Sequence, residues 1–259
     1  MSGRFLGLKL RIDVVTLFPQ AIEPYLKSAI LGRAQEKGIV KIKVHNLRSF
    51  TLDRYRTVDD YPFGGGPGMV LRPEPLWRAV KFIESYTGSS PRVILTSPQG
   101  SLFSQEKALE LARKGHLLFL CGRYQGVDER VITLTGAEEI SIGDYILSGG
   151  ELAALVMIEA TVRLIPGVLG DEESIKADSF YQGGLGPPQF TRPRVFQGLE
   201  VPEILLSGDH ALIKEWRKRK AQEKTARVRP ELLSVAKDRL SCRMAVPDDN
   251  EGGIQYNKS

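Results

Sequence analysis

Five short segments of this chain are almost continuously apolar and rich in β-branched residues, and this feature most limits how it can fold. Strands of a parallel sheet have this composition because helices cover both of their faces. The intervening segments carry apolar residues at helical spacing. Such alternation predicts an α/β domain with a mainly parallel sheet. The expected strands are 11–18, 40–47, 92–97, 116–121 and 139–146, and the expected helices are 21–37, 74–86, 104–114 and 151–164.

The composition of the sequence changes after Pro166, where Gly, Pro and acidic residues are frequent and apolar residues show little periodicity. This composition predicts a linker followed by a second, smaller unit. In that unit we expect two helices, at 210–224 and 230–240. The predicted organisation is an α/β domain at 1–166, a linker at 167–180, a basic helical domain at 181–242 and a disordered polar tail at 243–259.

Composition favours a cytoplasmic protein without a membrane partner. No apolar run approaches the roughly eighteen residues that a membrane span needs, and the first residues are too charged for a signal peptide. Cys121 and Cys242 have no Cys or His neighbours at metal-ligand spacing, so the sequence supports neither a disulfide framework nor a zinc site. His45, His116 and His210 are scattered and are interpreted as structural.

Three of the expected strands run into short loops of unusual composition, with the sequences TSPQG (96–100), CGRYQG (121–126) and GDYILSGGEL (143–152). Ligands of open parallel sheets bind beyond the carboxyl ends of the strands, so three such loops can share one crevice. None contains GxGxxG or GxxxxGK[ST], which disfavours a nicotinamide cofactor or a nucleoside triphosphate. The pattern alone leaves open whether the loops bind a small molecule or only turn the chain.

Two glycine-rich stretches have competing interpretations. The adjacent Gly149 and Gly150 mark either an ordinary turn or a place where a ligand comes close to the main chain. The stretch YPFGGGPGM (61–69) is either a lid or a flexible surface loop.

A basic run, WRKRKAQEKTARVRPE, spans 216–231 in a chain whose formal net charge is +5. A solvated helix face is the ordinary explanation of such a run. One-sided positive charge beside a Trp is also the electrostatic footprint of binding to a phosphate backbone. We therefore expect a nucleic-acid partner, and keep the solvated face as the alternative.

Several motifs occur in an order and spacing that resemble those of one family. They are DRYRTVDDYPFGGGPGM, SPQG, CGRYQGVDERV, SIGDYILSGGEL, RLIPGVLG, DSF, TRP and VPEILLSGDH. Over about 11–235 the sequence resembles the bacterial tRNA (guanine-N1)-methyltransferases, the TrmD family of the SPOUT class. The resemblance implies methyl transfer from S-adenosylmethionine to N1 of the guanine immediately 3′ of the anticodon in tRNA. It also implies a trefoil knot and a homodimer whose active site takes the cofactor from one chain and Asp178 from the other.

The resemblance further assigns roles to individual residues. It implies that Asp178 is the general base and that Arg163 steadies the guanine O6. From the sequence alone, Asp178 could instead cap a helix and Arg163 could be an ordinary cation at a helix end. The implied cofactor-binding residues are Thr96, Ser97, Pro98, Gly122, Arg123, Tyr124, Gln125, Ile142, Gly143, Asp144, Tyr145, Ile146, Leu147, Gly149 and Gly150.

One residue departs from the family pattern. The family commonly has Glu at the position of Gln125, and that carboxylate is linked to the magnesium the family uses. A neutral amide keeps hydrogen bonding but loses the charge, which puts a Mg²⁺ requirement in doubt. Two alternatives therefore stay open: an RNA-binding protein with a decayed cofactor site, and a methyltransferase acting on ribosomal RNA.

Overall fold

The computed structural model describes residues 7–170, 178–181 and 183–233. The chain divides into two compact units, Met1–Gly170 and Asp171–Ser259. The boundary falls within the Gly-rich and acidic stretch that follows Pro166.

The first unit is built on a five-stranded sheet in the order β2-β1-β6-β5-β7, and every neighbouring pair is parallel. This confirms the predicted α/β class with a mainly parallel sheet. The strands of this unit are β1 (Leu10–Thr16), β2 (Val40–Asn46), β3 (Asp59–Asp60), β4 (Val70–Leu71), β5 (Arg92–Leu102), β6 (His116–Cys121) and β7 (Glu138–Ser141). Its helices are α1 (Pro19–Leu26), α2 (Ala29–Glu36), α3 (Pro73–Thr87), α4 (Gln105–Ala112), α5 (Arg130–Thr135) and α6 (Glu151–Val162), with a 3₁₀ turn at Leu47–Phe50.

The central strand β6 shows why its sequence is continuously apolar. All of its residues are buried. Leu117 and Phe119 belong to one hydrophobic cluster, with α1, α2, α4 and α6, whereas Leu118 and Leu120 belong to another, with α3 and α5. Successive side chains of a strand point to opposite faces, so a strand covered on both sides needs an apolar residue at every position.

Three predicted boundaries were wrong for local reasons. The helix predicted at 21–37 is two helices, because Ser28 hydrogen-bonds back to the carbonyl oxygen of Tyr25 and ends the first. The strand predicted at 139–146 ends at Ser141, whose Oγ accepts a hydrogen bond from the backbone of Gly143 and starts a turn. The strand predicted at 92–97 extends to Leu102.

A buried carboxylate links three strands of the sheet. Asp13 on β1 is inaccessible to solvent and accepts hydrogen bonds from Nε2 of His45 (2.6 Å), Nε2 of His116 (2.9 Å) and Nε of Arg11 (2.6 Å). Burial alone would raise the pKa of Asp13, but the three hydrogen bonds together hold that pKa well below its ordinary value. This network gives the two buried histidines a structural role, whereas His210 is exposed.

The second unit contains a short hairpin, a 3₁₀ turn and one long helix. The hairpin strands are β8 (Val195–Phe196) and β9 (Leu199–Glu200), the turn is Glu203–Leu206, and the helix is α7 (His210–Val228). Asp209 caps α7 by accepting hydrogen bonds from the backbone of Ala211 and Leu212. The helix continues four residues past the predicted end at 224.

Several predictions for the second unit lie outside the described residues. Residues 230–233 of the helix predicted at 230–240 are described; Pro230 lies in a turn and 231–233 are helical. The predicted tail at 243–259 and Cys242 lie wholly outside the described residues, as do residues 171–177 of the predicted linker. Within the described part of the chain, no helix is long and apolar enough to cross a membrane.

Candidate functional site

The loops that follow β6 and β7 and a loop inside β5 enclose a cleft of about 530 Å³ at the carboxyl edge of the sheet. This volume lies within the range of about 300–1,000 Å³ that is usual for small-molecule sites. Every predicted cofactor-binding residue except Asp144 lines the cleft. Asp144 is exposed in the same loop as Gly143 and Tyr145, where a hydrogen bond from the backbone of Tyr145 to the carbonyl oxygen of Gly143 closes a turn.

The first wall of the cleft is an excursion from β5. Thr96 pairs with Ile140 of β7, and Ser101 pairs with the same residue, so the intervening residues 97–100 leave the ladder and return to it. Gly100 sits where β5 rejoins β7, and a Cβ at Gly100 would lie 2.2 Å from the carbonyl carbon of Glu139. The close approach of two backbones therefore requires glycine here.

The second and third walls are joined to each other. The backbone of Gly150 donates a hydrogen bond to the carbonyl oxygen of Gly122 (2.8 Å), and Arg123 forms an isolated antiparallel bridge with Gly149. Thr96 joins both walls to the first, because its Oγ1 accepts a hydrogen bond from the backbone of Gly122 (3.2 Å). The three loops thus form one connected frame.

The adjacent glycines have a different cause from the one expected. A Cβ at Gly150 would lie 1.7 Å from Oγ1 of Thr96 and 2.9 Å from the backbone nitrogen of Gly122. A Cβ at Gly149 would lie 2.3 Å from Oε2 of Glu151. Both glycines line the cleft, but it is the contact between the loops themselves that excludes a side chain. That a ligand also approaches the main chain at this point stays a prediction.

The buried carboxylate of Glu151 contacts the loop that follows β6 and the end of β1. Glu151, the first residue of α6, accepts a hydrogen bond from Oγ1 of Thr16 (2.7 Å) and lies 3.8 Å from Nη1 of Arg123. The guanidinium of Arg123 also lies 4.4 Å from the ring centroid of Phe18. A carboxylate is favourable at a helix N-terminus. These contacts engage Arg123 with the protein itself as well as with the cleft that it lines.

The glycine-rich stretch at 61–69 is attached to the second loop at its far end. The backbone of Gln125 donates to the carbonyl oxygen of Met69 (2.9 Å), and the backbone of Leu71 donates to that of Gly126 (3.0 Å). A Cβ at Gly68 would lie 2.8 Å from Cγ of Gln125. The tip of the stretch is open, with the ring of Phe63 99% exposed. The stretch is therefore anchored beside the cleft and exposed at its tip.

The chemistry of the cleft does not include a reactive cysteine. Cys121 is buried at the base of the second loop, and burial raises the pKa of its thiol well above the ordinary value, with the charge of Glu151 adding to the effect. A thiol with a raised pKa is a poor nucleophile. The cleft instead offers backbone groups, tyrosines and apolar side chains, and its charged lining residues are Arg123, Glu129 and Glu139.

Comparison with known proteins identifies the family. The family model described as "tRNA (Guanine-1)-methyltransferase TrmD" matches residues 10–235. The chain belongs to the TrmD family. Proteins named tRNA (guanine-N(1)-)-methyltransferase are similar along most of both chains. The one from Dictyoglomus turgidum is 54% identical, over 86% of this chain and 90% of its own. Those from Moorella thermoacetica and Frankia alni are 52% and 51% identical, over 87% and 88% of this chain and 90% and 86% of theirs.

Arg163, the cation implied by the TrmD pattern, stands at the opposite end of α6 from the cleft. The helix begins after Gly150 and has 12 residues, and Arg163 is its C-cap. At 1.5 Å per residue the helix is about 18 Å long. Arg163 is half-buried and is not among the residues that line the cleft of the first unit.

Asp178, the base implied by the TrmD pattern, belongs to the second unit. Its side chain is exposed, and it immediately precedes a tight turn. In that turn Ser179 accepts a hydrogen bond from the backbone of Gly186 (2.9 Å) and Phe180 adopts a φ of 72°. The turn defines the backbone next to the carboxylate.

Sequence reasoning missed two residues that support the three-loop frame, Glu151 and Thr16. A charged residue that follows a glycine pair and opens an otherwise apolar helix was the available signal for Glu151. Thr16 ends a buried strand and gave no signal, because its partner is far away in the sequence.

Proposed function

We propose that this chain transfers a methyl group from S-adenosylmethionine to N1 of the guanine immediately 3′ of the anticodon in tRNA. The observation that carries the proposal is the identity of about half of the residues, over most of the chain, with proteins named tRNA (guanine-N(1)-)-methyltransferase. The three-loop cleft supports it, because a volume of about 530 Å³ stays open at the carboxyl edge of the sheet, where ligands of parallel sheets bind.

The cleft fits the methyl donor. Its volume of about 530 Å³ and its mixture of backbone groups, tyrosines and apolar side chains suit a nucleoside with a charged tail. The predicted cofactor-binding residues of the three loops would hold the adenine and the methionine portion. When bound, S-adenosylmethionine supplies an electrophilic methyl group on a sulfonium.

The protein's own task is to make guanine N1 nucleophilic. Guanine N1 carries a proton at neutral pH, and the carboxylate of Asp178 accepts that proton. The guanidinium of Arg163 stabilises the negative charge that develops on O6. An ordinary Asp has a pKa of about 3.9 and is a weak base, so tRNA binding must desolvate Asp178 or acidify the guanine.

A homodimer with a composite active site is part of the proposal. Arg163 is separated from the cleft of its own chain by the length of α6, which supports a composite site. In a homodimer, Arg163 and Asp178 of one chain can reach the cleft of the other chain. The exposed apolar residues Leu152 and Val156, one turn apart on α6, support α6 as a contact between chains.

The remaining features of the proposal rest on the family likeness. They are a trefoil knot formed by the three loops, a small, mostly helical C-terminal domain that binds tRNA, and a cytoplasmic location where tRNA is available. The mutual contacts of the three loops support the knot. The basic residues of α7 support the contact with RNA, because none of them is buried; the one buried residue of this helix is Thr225.

A magnesium site finds no support among the described residues of this chain. Among the described residues, no group of three or more His, Cys, Asp or Glu side chains could hold a metal ion. Gln125 offers a neutral amide where the family commonly has a carboxylate. We therefore derive no step through magnesium.

One experiment separates the proposed activity from the alternatives. Purified protein is titrated with S-adenosylmethionine by calorimetry, then given methyl-labelled cofactor with unmodified tRNA. The matched control is the same tRNA with adenine in place of the guanine 3′ of the anticodon. Label in the guanine tRNA alone is the expected result. Binding of tRNA without cofactor binding would indicate a decayed site, and label in ribosomal RNA fragments but not in tRNA would indicate the other alternative.

A further inference from the structure

The second unit contains a pocket of its own. It has a volume of about 400 Å³ and lies between the segment that precedes β8, the 3₁₀ turn at Glu203–Leu206 and the α7 helix. All of the residues that line it belong to the second unit. Its volume is in the range of small-molecule sites.

The pocket is strongly and one-sidedly charged. Arg192, Arg194 and Arg217 line it, and none of its described lining residues is Asp or Glu. In the described part of the chain, no ion pair or side-chain hydrogen bond engages these three guanidinium groups. In contrast, Arg219 on the same helix lies 3.7 Å from Glu223. Three arginines around one pocket with no internal counter-ion favour an anionic ligand.

The same pocket offers an aromatic and apolar surface. The ring of Phe190 is 46% exposed, and its centroid lies 6.3 Å from that of Trp216. Val201 and Leu205 line the pocket as well. Exposed aromatic rings in basic surroundings are stacking platforms for nucleobases. A bare anion would use the arginines but not this surface, and an apolar ligand would leave the arginines unused.

We propose that this pocket binds one unstacked nucleotide of the tRNA, with its base against Phe190 and its phosphates against Arg192, Arg194 and Arg217. Guanidinium groups bind phosphate oxygens in a bidentate manner, and the aromatic ring accepts any base. The inference rests on the proposed function, because it takes tRNA to be the substrate. The inference adds a second nucleotide-binding pocket to the site that would bind the methylated guanine. At this pocket another base of the tRNA would be unstacked from its neighbours.

The test measures affinity for unmodified tRNA by fluorescence anisotropy at several salt concentrations. Arg192→Ala and Arg217→Ala should each weaken binding about tenfold and lower the slope of log K against log [salt] by about one. Arg219→Ala is the matched control, since it removes the same charge from the same basic helix outside the pocket, and it should weaken binding clearly less than either pocket variant does. Phe190→Leu should weaken binding roughly tenfold with the slope unchanged, because stacking carries no charge. All these side chains are exposed, and a far-ultraviolet circular dichroism spectrum and thermal melt like those of the wild type confirm that each variant is folded.

A second readout reports on the pocket itself. The chain has two tryptophans, so Trp77→Phe leaves Trp216 as the only one. Binding of tRNA should change Trp216 emission, and Phe190→Leu should reduce that change. Guanosine and adenosine monophosphates serve as free-nucleotide probes, and we expect them to bind at least a hundredfold more weakly than tRNA.

The outcomes separate this proposal from the proposed function. If the wild-type protein binds no tRNA, both fail. If it binds and methylates tRNA while Arg192→Ala and Arg217→Ala behave like Arg219→Ala, only the pocket proposal fails. If a free monophosphate saturates the Trp216 signal and the pocket variants leave tRNA affinity unchanged, the pocket serves a free nucleotide and the proposal is overturned.

Discussion

Thr96 and Gly150 approach each other so closely that a single methyl group on Gly150 would lie 1.7 Å from Oγ1 of Thr96. The same Thr96 oxygen accepts a hydrogen bond from the backbone of Gly122. One contact therefore holds together loops from three strands, and the shape of the cleft depends on it.

Gly150→Ala should destabilise the first unit by about 3 kcal/mol, because an added methyl group in a closed contact forces backbone movement. Affinity for S-adenosylmethionine should fall with it. Urea unfolding and calorimetry measure the two effects. Gly115→Ala is the control, since a Cβ at Gly115 meets nothing within 4 Å. Unchanged stability and affinity in Gly150→Ala would contradict the packing explanation.

Glu151→Ala should lower stability by about 2 kcal/mol, because it removes the partner of a buried Thr16 hydroxyl and of a partly exposed Arg123. The Thr16→Val change should cost less in the Glu151→Ala background than in the wild type, because the two residues share one hydrogen bond. Denaturant titration of the four proteins of this cycle gives the coupling. Strict additivity would show that the hydrogen bond contributes nothing.

Asp13→Asn should destabilise the protein by about 3–5 kcal/mol near pH 7, since it leaves Arg11 and two histidines around a neutral amide. The pKa of Asp13 is lowered in the folded state, so its stabilisation is present above the unfolded-state pKa of about 4 and is lost as the pH falls below it. The stability gap between wild type and Asp13→Asn should shrink as the pH falls below about 4. Urea unfolding midpoints of both proteins from pH 7 to below pH 4 measure the stability gap. A gap that widens below pH 4 would contradict the prediction.

Asp178→Asn should reduce single-turnover methyl transfer by about a hundredfold or more, the usual scale for a general base. The substitution keeps the size and hydrogen bonding of the side chain, so affinities for S-adenosylmethionine and tRNA should stay near those of the wild type. Rapid-quench measurement with labelled cofactor tests this. Methyl transfer at close to the wild-type rate would show that Asp178 is not the general base and has only a structural role beside the adjacent turn.

A composite active site predicts complementation between two inactive chains. Leu147→Asp places a carboxylate in the cleft at a partly exposed position and should abolish cofactor binding without unfolding the protein. Mixing it with Asp178→Ala should restore activity, because each heterodimer contains one site with an intact cleft and an intact Asp178. A mixture that forms heterodimers and stays inactive would place the whole site within one chain.

The sequence predicted the sheet well because burial on both faces leaves a local pattern, as in His116–Cys121, where the predicted and observed bounds coincide. It predicted helix ends less well, because the break at Ser28 depends on one hydrogen bond. The reason for Gly150 could not be predicted, since it lies in Thr96, a residue on another strand. The sequence predicted a strand that ends at Ser97 and a loop at 96–100, and the return of the chain to β7 at Ser101 is visible only in the strand pairing.

The frame that joins Thr96, Gly122 and Gly150 also has a kinetic consequence. Its members come from distant parts of the chain, so loop-closure entropy opposes their meeting until the strands that carry them are paired. The cleft is thus a late product of folding, and the unfolded chain holds no version of it. A ligand that needs all three loops binds only the finished protein, and at a hundred times its Kd it adds about 2.7 kcal/mol to stability. Under the proposed function this ligand is the methyl donor, and its cellular concentration helps to set how long each molecule survives.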